Sequence, residues 1–330
     1  MSSPTVLLTA VGSASAACAV DTFRQMGLRV AACDLYPKGW TAASLLADSF
    51  TQTPPASEGE GFVQALMALV KEENARWLIP LIDPEVDLLC SRREDFAALG
   101  CTLCLPEESS ARLYRDKRAM AELLKEKHIG PVIPTFDPYD PEAVLPPFPL
   151  LLKPISGRSS QHLCIAQNEE ELRSALARRK DYILQPFLTG DIFTVDTARD
   201  RLGHVRALAR HELLRTVNGL GTTVETLPGH PLEKVCAAIA EATGLIGVVN
   251  IEFIHHEGQD YFLEVNPRFS GGLAFSKAAG LDFAALELKC HQGLSIAEGG
   301  SPRHCLLTRS MEPVIAWAEE PGSEDAVPSC

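Results

Sequence analysis

Residues 247–272, GVVNIEFIHHEGQDYFLEVNPRFSGG, constrain this 330-residue chain more than any other stretch. Two strand-like runs, 248–255 and 261–265, flank the turn residues 257–260, which is the pattern of a β-hairpin. Side chains alternate across a strand. With the turn centred on Gly258, Ile251 faces Val265 and Phe253 faces Leu263 on one apolar side. Glu252 then stands opposite Glu264, and Asn250 opposite Asn266, on the other. Like charges directly opposite each other destabilise a sheet, so this pairing calls for a cation between the carboxylates. The donors are all hard oxygens, which suits Mg²⁺ or Mn²⁺ and not Zn²⁺. Arg268 and the pair Gly271-Gly272 follow at once and suit an anion beside the metal. The alternative reading is a solvated polar face on an ordinary hairpin.

The segment FLEVNPRFSGG resembles the metal-binding end of the ATP-grasp superfamily, closest to its carbamoyl-phosphate-synthase-like branch. The resemblance implies that Glu252, Glu264 and Asn266 hold the Mg²⁺ (or Mn²⁺) ions of ATP and that Arg268 contacts phosphate. It extends over roughly residues 5–295, judged by the order of the motifs.

Composition sets the outer bounds. With 46% hydrophobic and 22% charged residues, the chain is ordinary globular material, long enough for two or three domains. No apolar run reaches the ~20 residues that cross a bilayer. The N-terminal MSSPTVLLTAVGS has no basic leader, so no signal peptide and a cytoplasmic location are expected. A net charge of −13 argues against a nucleic-acid partner, which needs clustered Lys and Arg. The 10 cysteines are scattered, and the CxxC at Cys101 and Cys104 has no second pair at zinc spacing. Reduced, buried thiols fit this better than a zinc or disulfide framework.

The first third reads as a strand at 5–9, a helix at 16–26 and a strand at 29–34, a βαβ unit without GxGxxG. Gly12, Ser13 and Ser15 can offer backbone N–H groups to an anion at the helix start, or simply form a tight turn. A helix at 61–73, a strand at 77–81 and a helix at 86–96 follow. Open parallel sheets bind ligands at their C-terminal strand ends, where Asp34, Asp83 and Glu85 lie. The resemblance implies a preATP-grasp domain here that helps build the substrate pocket.

In the middle, Ser109 or Ser110 caps a helix that runs through Asp116, Lys117 and Leu124. Lys153 ends the apolar strand 149–154 and needs a partner there. The small-residue loop 156–161 lacks the Walker form. By resemblance, Lys117 and Lys153 reach phosphates, and the loop with Ser159 and Ser160 closes over them, Arg158 adding charge. A helix at 169–179 covers the lid. Gln185, Pro186, Phe187 and Leu188 form the hinge. The resemblance implies that there the Pro186 carbonyl accepts from the adenine amine and the Leu188 N–H meets N1, with Gln185 where the family often has Glu. Asp191 falls where an acid holds the ribose hydroxyls. Later elements are strands at 205–214 and 305–316 and helices at 232–244 and 283–293, with an acidic tail from Glu319 expected to be disordered.

The resulting expectation is an α/β ATP-grasp fold with an N-terminal preATP-grasp, Rossmann-like βαβ domain. Domain boundaries fall at 1–108 (preATP-grasp), 109–187 (lid), 188–300 (central) and 301–330 (C-terminal strand and tail). The implied reaction is attack of a carboxylate on the γ-phosphorus of ATP, giving an acylphosphate and ADP, followed by displacement of phosphate by an amine. Lys117, Lys153, Arg268 and two Mg²⁺ ions neutralise the developing charge. The small-molecule substrates are assigned to Gly12, Asp34, Asp83, Glu85, Arg210 and Ser270. The acid goes to Arg268, or to Arg210 as second choice, and the amine to Asp83 or Glu85. Three alternatives stand beside this reading: phosphorylation of carbamate or bicarbonate, a non-catalytic ATP-binding partner subunit or sensor, and a Rossmann dehydrogenase, which the missing GxGxxG disfavours. A homodimer is the candidate assembly.

Overall fold

Runs of β-branched and aliphatic residues separated by amphipathic helices build three sheets in the computed structural model, which describes residues 3–140, 144–156 and 162–317. The first sheet holds β1 (Thr5–Leu8), β2 (Arg29–Asp34), β3 (Ser49–Gln52), β4 (Ala75–Ile79) and β5 (Thr102–Leu103), all parallel, in the order β3-β2-β1-β4-β5. A parallel sheet must be covered on both faces. Val6, Leu8, Val30 and Ala32 pack on helix Ala16–Gln25, while Leu7, Ala31, Cys33 and Leu78 pack on helix Glu60–Glu72. Cys101 and Cys104 are free thiols buried in the same layers, and burial pushes Cys101 up to about 12.

Two helices expected as single runs are broken. The run 86–96 is instead Asp83–Leu89 and Arg93–Ala97, because Arg92 leaves helical geometry and Arg93 turns to donate to the carbonyls of Leu103 (3.2 Å) and Pro106 (2.7 Å). The run from Ser109 to Leu124 is instead Glu108–Arg115 and Lys117–Glu126. Asp116 is extended (φ −93°, ψ 98°), and its carboxylate accepts the N–H groups of Arg118 and Ala119, both at 2.9 Å. That cap satisfies orphan donors of the second helix and makes Lys117 its first residue. Ser110 is no cap; its hydroxyl donates to the Thr243 carbonyl (2.8 Å).

The second sheet is antiparallel, with β6 (Leu150–Pro154), β7 (Cys164–Ala166) and β8 (Tyr182–Pro186) in the order β7-β6-β8. Helix Glu169–Arg178 buries Leu172 and Ala175 against Leu150, Leu152 and Leu184. Ser159 and Ser160, with Arg158, lie outside the described residues, as does the tail from Glu319.

The third sheet holds β9 (Asp191–Arg199), β10 (Val205–Arg215), β11 (Gly221–Leu227), β12 (Gly247–His256), β13 (Gln259–Asn266) and β14 (Cys305–Thr308), in the order β13-β12-β9-β10-β11-β14. β14 is an edge strand on β11 and stops well short of residue 316. β12 and β13 form the expected hairpin, with a tighter turn: His256 pairs with Gln259 across Glu257 (φ 49°) and Gly258 (φ 80°). Two consecutive positive φ values are what a two-residue type I′ turn requires. The register is as expected for Asn250 with Asn266, Ile251 with Val265 and Glu252 with Glu264. A bulge then intervenes, and Phe253 faces Phe262 and not Leu263.

One face of this sheet is apolar: Val195, Ala209, Ile251 and Val265 pack on helix Pro231–Ala242. The other carries a polar row across four strands, since Thr194 pairs with both Arg210 and Glu252, and Glu252 pairs with Glu264. Among the described residues no helix is long and apolar enough to cross a membrane. Replacing Asp116 by Ala removes the cap and is expected to cost about 1 kcal/mol in urea unfolding, with Asp116→Asn losing much less; equal stability of the Ala variant and wild type contradicts the cap.

Candidate active site

A cavity of about 760 Å³ is lined from all three sheets: Ser13 to Ser15 and residues 81–84 from the first, Leu151 and Lys153 from the second, and Ile192, Thr194, Arg210, Glu252, Glu264 and Asn266 from the third. The loop 216–220 and residues 268–272 close the remainder.

The paired carboxylates share this cavity. Glu252 takes a hydrogen bond from Asn266 Nδ2 (3.3 Å) and lies 3.2 Å from Arg215 Nη2, while Glu264 lies 3.7 Å from Lys117 Nζ. Burial, and then the facing Glu264, raise the Glu252 carboxyl above its ordinary range. The repulsion anticipated from the register is therefore present, and two protein cations flank it. Two carboxylates and an amide oxygen are hard donors that fit Mg²⁺ or Mn²⁺. Among the described residues no group of three or more His, Cys, Asp or Glu is placed to hold a metal ion by itself. The hairpin set is thus partial, of the kind that phosphate oxygens and water complete.

Five cations line the cavity (Lys117, Lys153, Arg210, Arg215 and Arg268) with four acids (Asp83, Glu212, Glu252 and Glu264), which suits a polyanion accompanied by a divalent ion. Lys153 is 6% exposed, and burial, with the neighbouring Lys117, pushes its ammonium down to about 8. Burial also lowers Lys117. The Asp116 cap is what delivers Lys117 here. Arg268 donates from Nε to Asp83 (3.0 Å) and from Nη1 to the Phe269 carbonyl (2.9 Å).

Of the residues assigned to substrate, Asp83, Arg210 and Ser270 line the cavity, and Gly12, Asp34 and Glu85 do not. Asp83 lies between Arg268 and Arg115, the latter at 3.1 Å. Arg210 is 1% exposed; its Nη groups are held by Asp196, by Ser276 Oγ (2.6 Å) and by Ser270 Oγ (3.1 Å). A side chain at Gly272 would sit 2.8 Å from Arg210 Nη2, so glycine is required for this close approach. Asp34 accepts the Gly12 N–H (2.7 Å). Glu85 accepts from Thr9 Oγ1, and burial, then Asp34, push it up to about 7. Asp34 and Glu85 are buried at the strand ends of the first sheet, with the exposed Gly12 above them.

The hinge residues Gln185, Pro186, Phe187 and Leu188 are outside the cavity lining, though Gln185 pairs with Leu151, which is in it. Gln185 donates to Thr135 Oγ1 (2.8 Å), and its Oε1 is buried without a partner. The Phe187 N–H is taken by the Pro149 carbonyl (3.0 Å). Asp191 is three residues from Thr194 and so points to the opposite sheet face, where His211 lies 3.7 Å away.

The sequence offers Arg215, beside Arg210, as a contact for phosphate or a substrate carboxylate, and it lines the cavity. Leu263, Ile192 and Leu151 line it without having been assigned there, and neither was Arg115, which pairs with Asp83 behind it. Leu263 reaches the cavity beside Glu264 only through the bulge. Ile192 shares the cavity face of β9 with Thr194, and nothing in the sequence marks which face of that strand meets the site. Arg115 carried no local signal.

A family model described as ATP-grasp in the biosynthetic pathway with Ter operon matches residues 178–312, and one described as the PylC-like N-terminal domain matches residues 6–104. Residues 178–312 are thus ATP-grasp by family model, behind a PylC-like N-terminal domain. The C-terminal section of the carbamoyl phosphate synthase large chain from Methanopyrus kandleri is 31% identical over 173 residues, covering 46% of this chain and 31% of that protein. A D-alanine--D-alanine ligase from Fusobacterium nucleatum is 26% identical over 139 residues, covering 39% of this chain and 48% of the ligase. The chain thus spans less than half the length of either relative. A biotin carboxylase–βγ-ATP complex from Campylobacter jejuni superposes with a TM-score of 0.73 at 18% identity, over 90% of this chain and 73% of that one. At that identity the likeness establishes the ATP-grasp fold, with the parallel first sheet as its N-terminal domain.

Lys153 links this site to stability. An ordinary lysine titrates at 10.5 and Lys153 in the fold at about 8. The folded chain therefore carries a penalty below pH ~8 that is relieved as pH rises towards 10.5. Lys153→Met is expected to be more stable than wild type at pH 7, by at most ~3 kcal/mol, with the gap closing by pH 10. Urea midpoints of the two proteins across that range measure this; a gap independent of pH contradicts it.

Proposed function

We propose that the protein is an Mg²⁺-dependent, ADP-forming carboxylate–amine ligase that activates its acid as an acylphosphate at the expense of ATP. The observation that carries this reading is the cross-strand pair Glu252 and Glu264, with Asn266, set in one cavity with Lys117, Lys153 and Arg268. An acidic pair costs stability unless a cation joins it, and the buried Lys153, with Lys117 beside it, gains from an anion that such an ion accompanies.

Glu252, Glu264 and Asn266 would hold the metal, which when bound supplies charge neutralisation at the phosphates. Lys153 and Lys117 bind and orient the polyphosphate, and Arg268 faces the transferring phosphoryl group. Leu151, Ile192 and Leu263 offer apolar surface for the base, with the free Oε1 of Gln185 and the backbone of Pro186 and Leu188 as its polar partners. A ribose role for Asp191 would need the β9 start to turn from its present face. The acid's oxygen attacks the γ-phosphorus, the bond to the bridging oxygen breaks, and ADP leaves. The amine then displaces phosphate from the acyl carbon. Both substrates belong at the end of the cavity walled by Ser13 to Ser15, Asp83 and Ser270 to Gly272. Since phosphoryl transfer needs chiefly positioning and charge neutralisation, no protein nucleophile is required. Small-molecule substrates, a cytoplasmic location and a homodimer complete this reading. Bicarbonate or carbamate as the acid is the second reading, favoured by the carbamoyl phosphate synthase match.

A coupled ADP-release screen over acid and amine pairs, with bicarbonate among the acids, tests the proposal. The wild type is expected to turn over with at least one pair, and Glu264→Gln, which keeps shape but loses charge, to lose that turnover by more than a hundredfold while remaining folded. Near-normal turnover in Glu264→Gln rejects the metal assignment. Nucleotide binding without turnover on any pair, bicarbonate included, favours a non-catalytic partner subunit.

A further inference from the structure

Asp83 stands where an amine-binding acid was expected, yet both of its oxygens face arginines. Oδ2 accepts from Arg268 Nε at 3.0 Å, and Oδ1 lies 3.1 Å from Arg115 Nη2. The Asp83 side chain is 5% exposed, so little water competes for it. Arg115 is itself fixed from a second side: its Nε donates to Asp87 at 2.6 Å and its Nη2 to the same carboxylate at 3.2 Å. Asp83 and Asp87 are four residues apart on one helix and present a single face to Arg115. The chain of contacts therefore runs from Asp87 on the first sheet's helix, through Arg115 and Asp83, to Arg268, two residues past the end of β13.

Arg268 is held at Nε by Asp83 and at Nη1 by the Phe269 carbonyl, which together fix the plane of the guanidinium. The remaining edge, Nη2, lies 3.5 Å from Asn266 Oδ1, at the metal end of the cavity. Without Asp83, Arg268 and Arg115 would face each other as like charges with no acid between them, and Arg268 would swing away. We propose that Asp83 is a positioning residue: it binds no substrate itself, but aims the Arg268 guanidinium at the terminal phosphate of the nucleotide.

This rests on the nucleotide reading above, so the experiment separates the two. Calorimetry compares Mg²⁺·ADP with the non-hydrolysable triphosphate Mg²⁺·AMP-PNP on the full chain. Wild type is expected to prefer AMP-PNP. Asp83→Asn, which keeps size and loses charge, is expected to weaken AMP-PNP about tenfold or more while leaving ADP within about twofold, because only the terminal phosphate meets Arg268. In an Arg268→Ala background, Asp83→Asn is expected to add nothing further. A merely structural ion pair would weaken both nucleotides alike and would persist in that background. Should Asp83→Asn not fold, Asp83→Glu carries the test: its extra methylene shifts Arg268, and the same selective loss is expected. An undiminished preference for AMP-PNP in either folded variant, an equal loss on both nucleotides, or a wild type with no preference overturns the positioning role. Failure of wild type to bind either nucleotide overturns the ATP reading itself, and this inference with it.

Discussion

Two carboxylates forced to face each other across an antiparallel ladder are the constraint around which this molecule is arranged. Glu252 and Glu264 cannot separate without moving Ile251 and Val265, which alternate with them into the core on helix Pro231–Ala242. A slip of one residue would exchange the two faces and put the acids into that core. The repulsion is therefore fixed by hydrophobic burial on the far side of the sheet. The charges that answer it come from elsewhere in the chain: Arg215 from the end of β10 and Lys117 from the helix start that Asp116 caps.

The same logic runs through the cavity wall. Each arginine there has an acid beside it: Arg210 has Asp196, Arg215 has Glu252 and Arg268 has Asp83. Removing one partner of such a buried pair leaves an uncompensated charge, which costs more than the pair itself contributes. Lys153 differs, since burial and Lys117 both disfavour its charge. A group held in that state binds an anion strongly because the anion relieves a cost already present in the free protein. Sites of function commonly carry such unfavourable arrangements at the expense of stability.

The hairpin was legible because a period of two needs only the strand assignment and the turn centre. Glu252, Glu264 and Asn266 followed from that count, as did the apolar face through Ile251 and Val265. Leu263 did not, because a bulge breaks the count and no residue in the run marks it. Lys117 was legible as a candidate phosphate ligand, but not the break at Asp116 that places it; Asp after Arg inside a helical pattern reads equally well as surface charge. Asp83 and Arg268 are 185 residues apart, and the pairing of Arg210 with Ser276 spans 66. No local pattern carries such partners, so a cation-rich site was foreseeable while the allocation of each acid to each arginine was not. The face of Asp191 was not legible either, because it follows from the pairing of Thr194 with Arg210 and Glu252, which only the folded sheet sets.

The central claim is that the paired carboxylates exist to hold a divalent ion. Crystals grown with Mn²⁺ and AMP-PNP, measured at the manganese absorption edge, test it without reference to any acid or amine. An anomalous peak is expected between Glu252 and Glu264, with Asn266 in its coordination sphere and Arg215 withdrawn from Glu252. Nucleotide bound in the cavity with no peak between these carboxylates, and Arg215 still paired to Glu252, would contradict it.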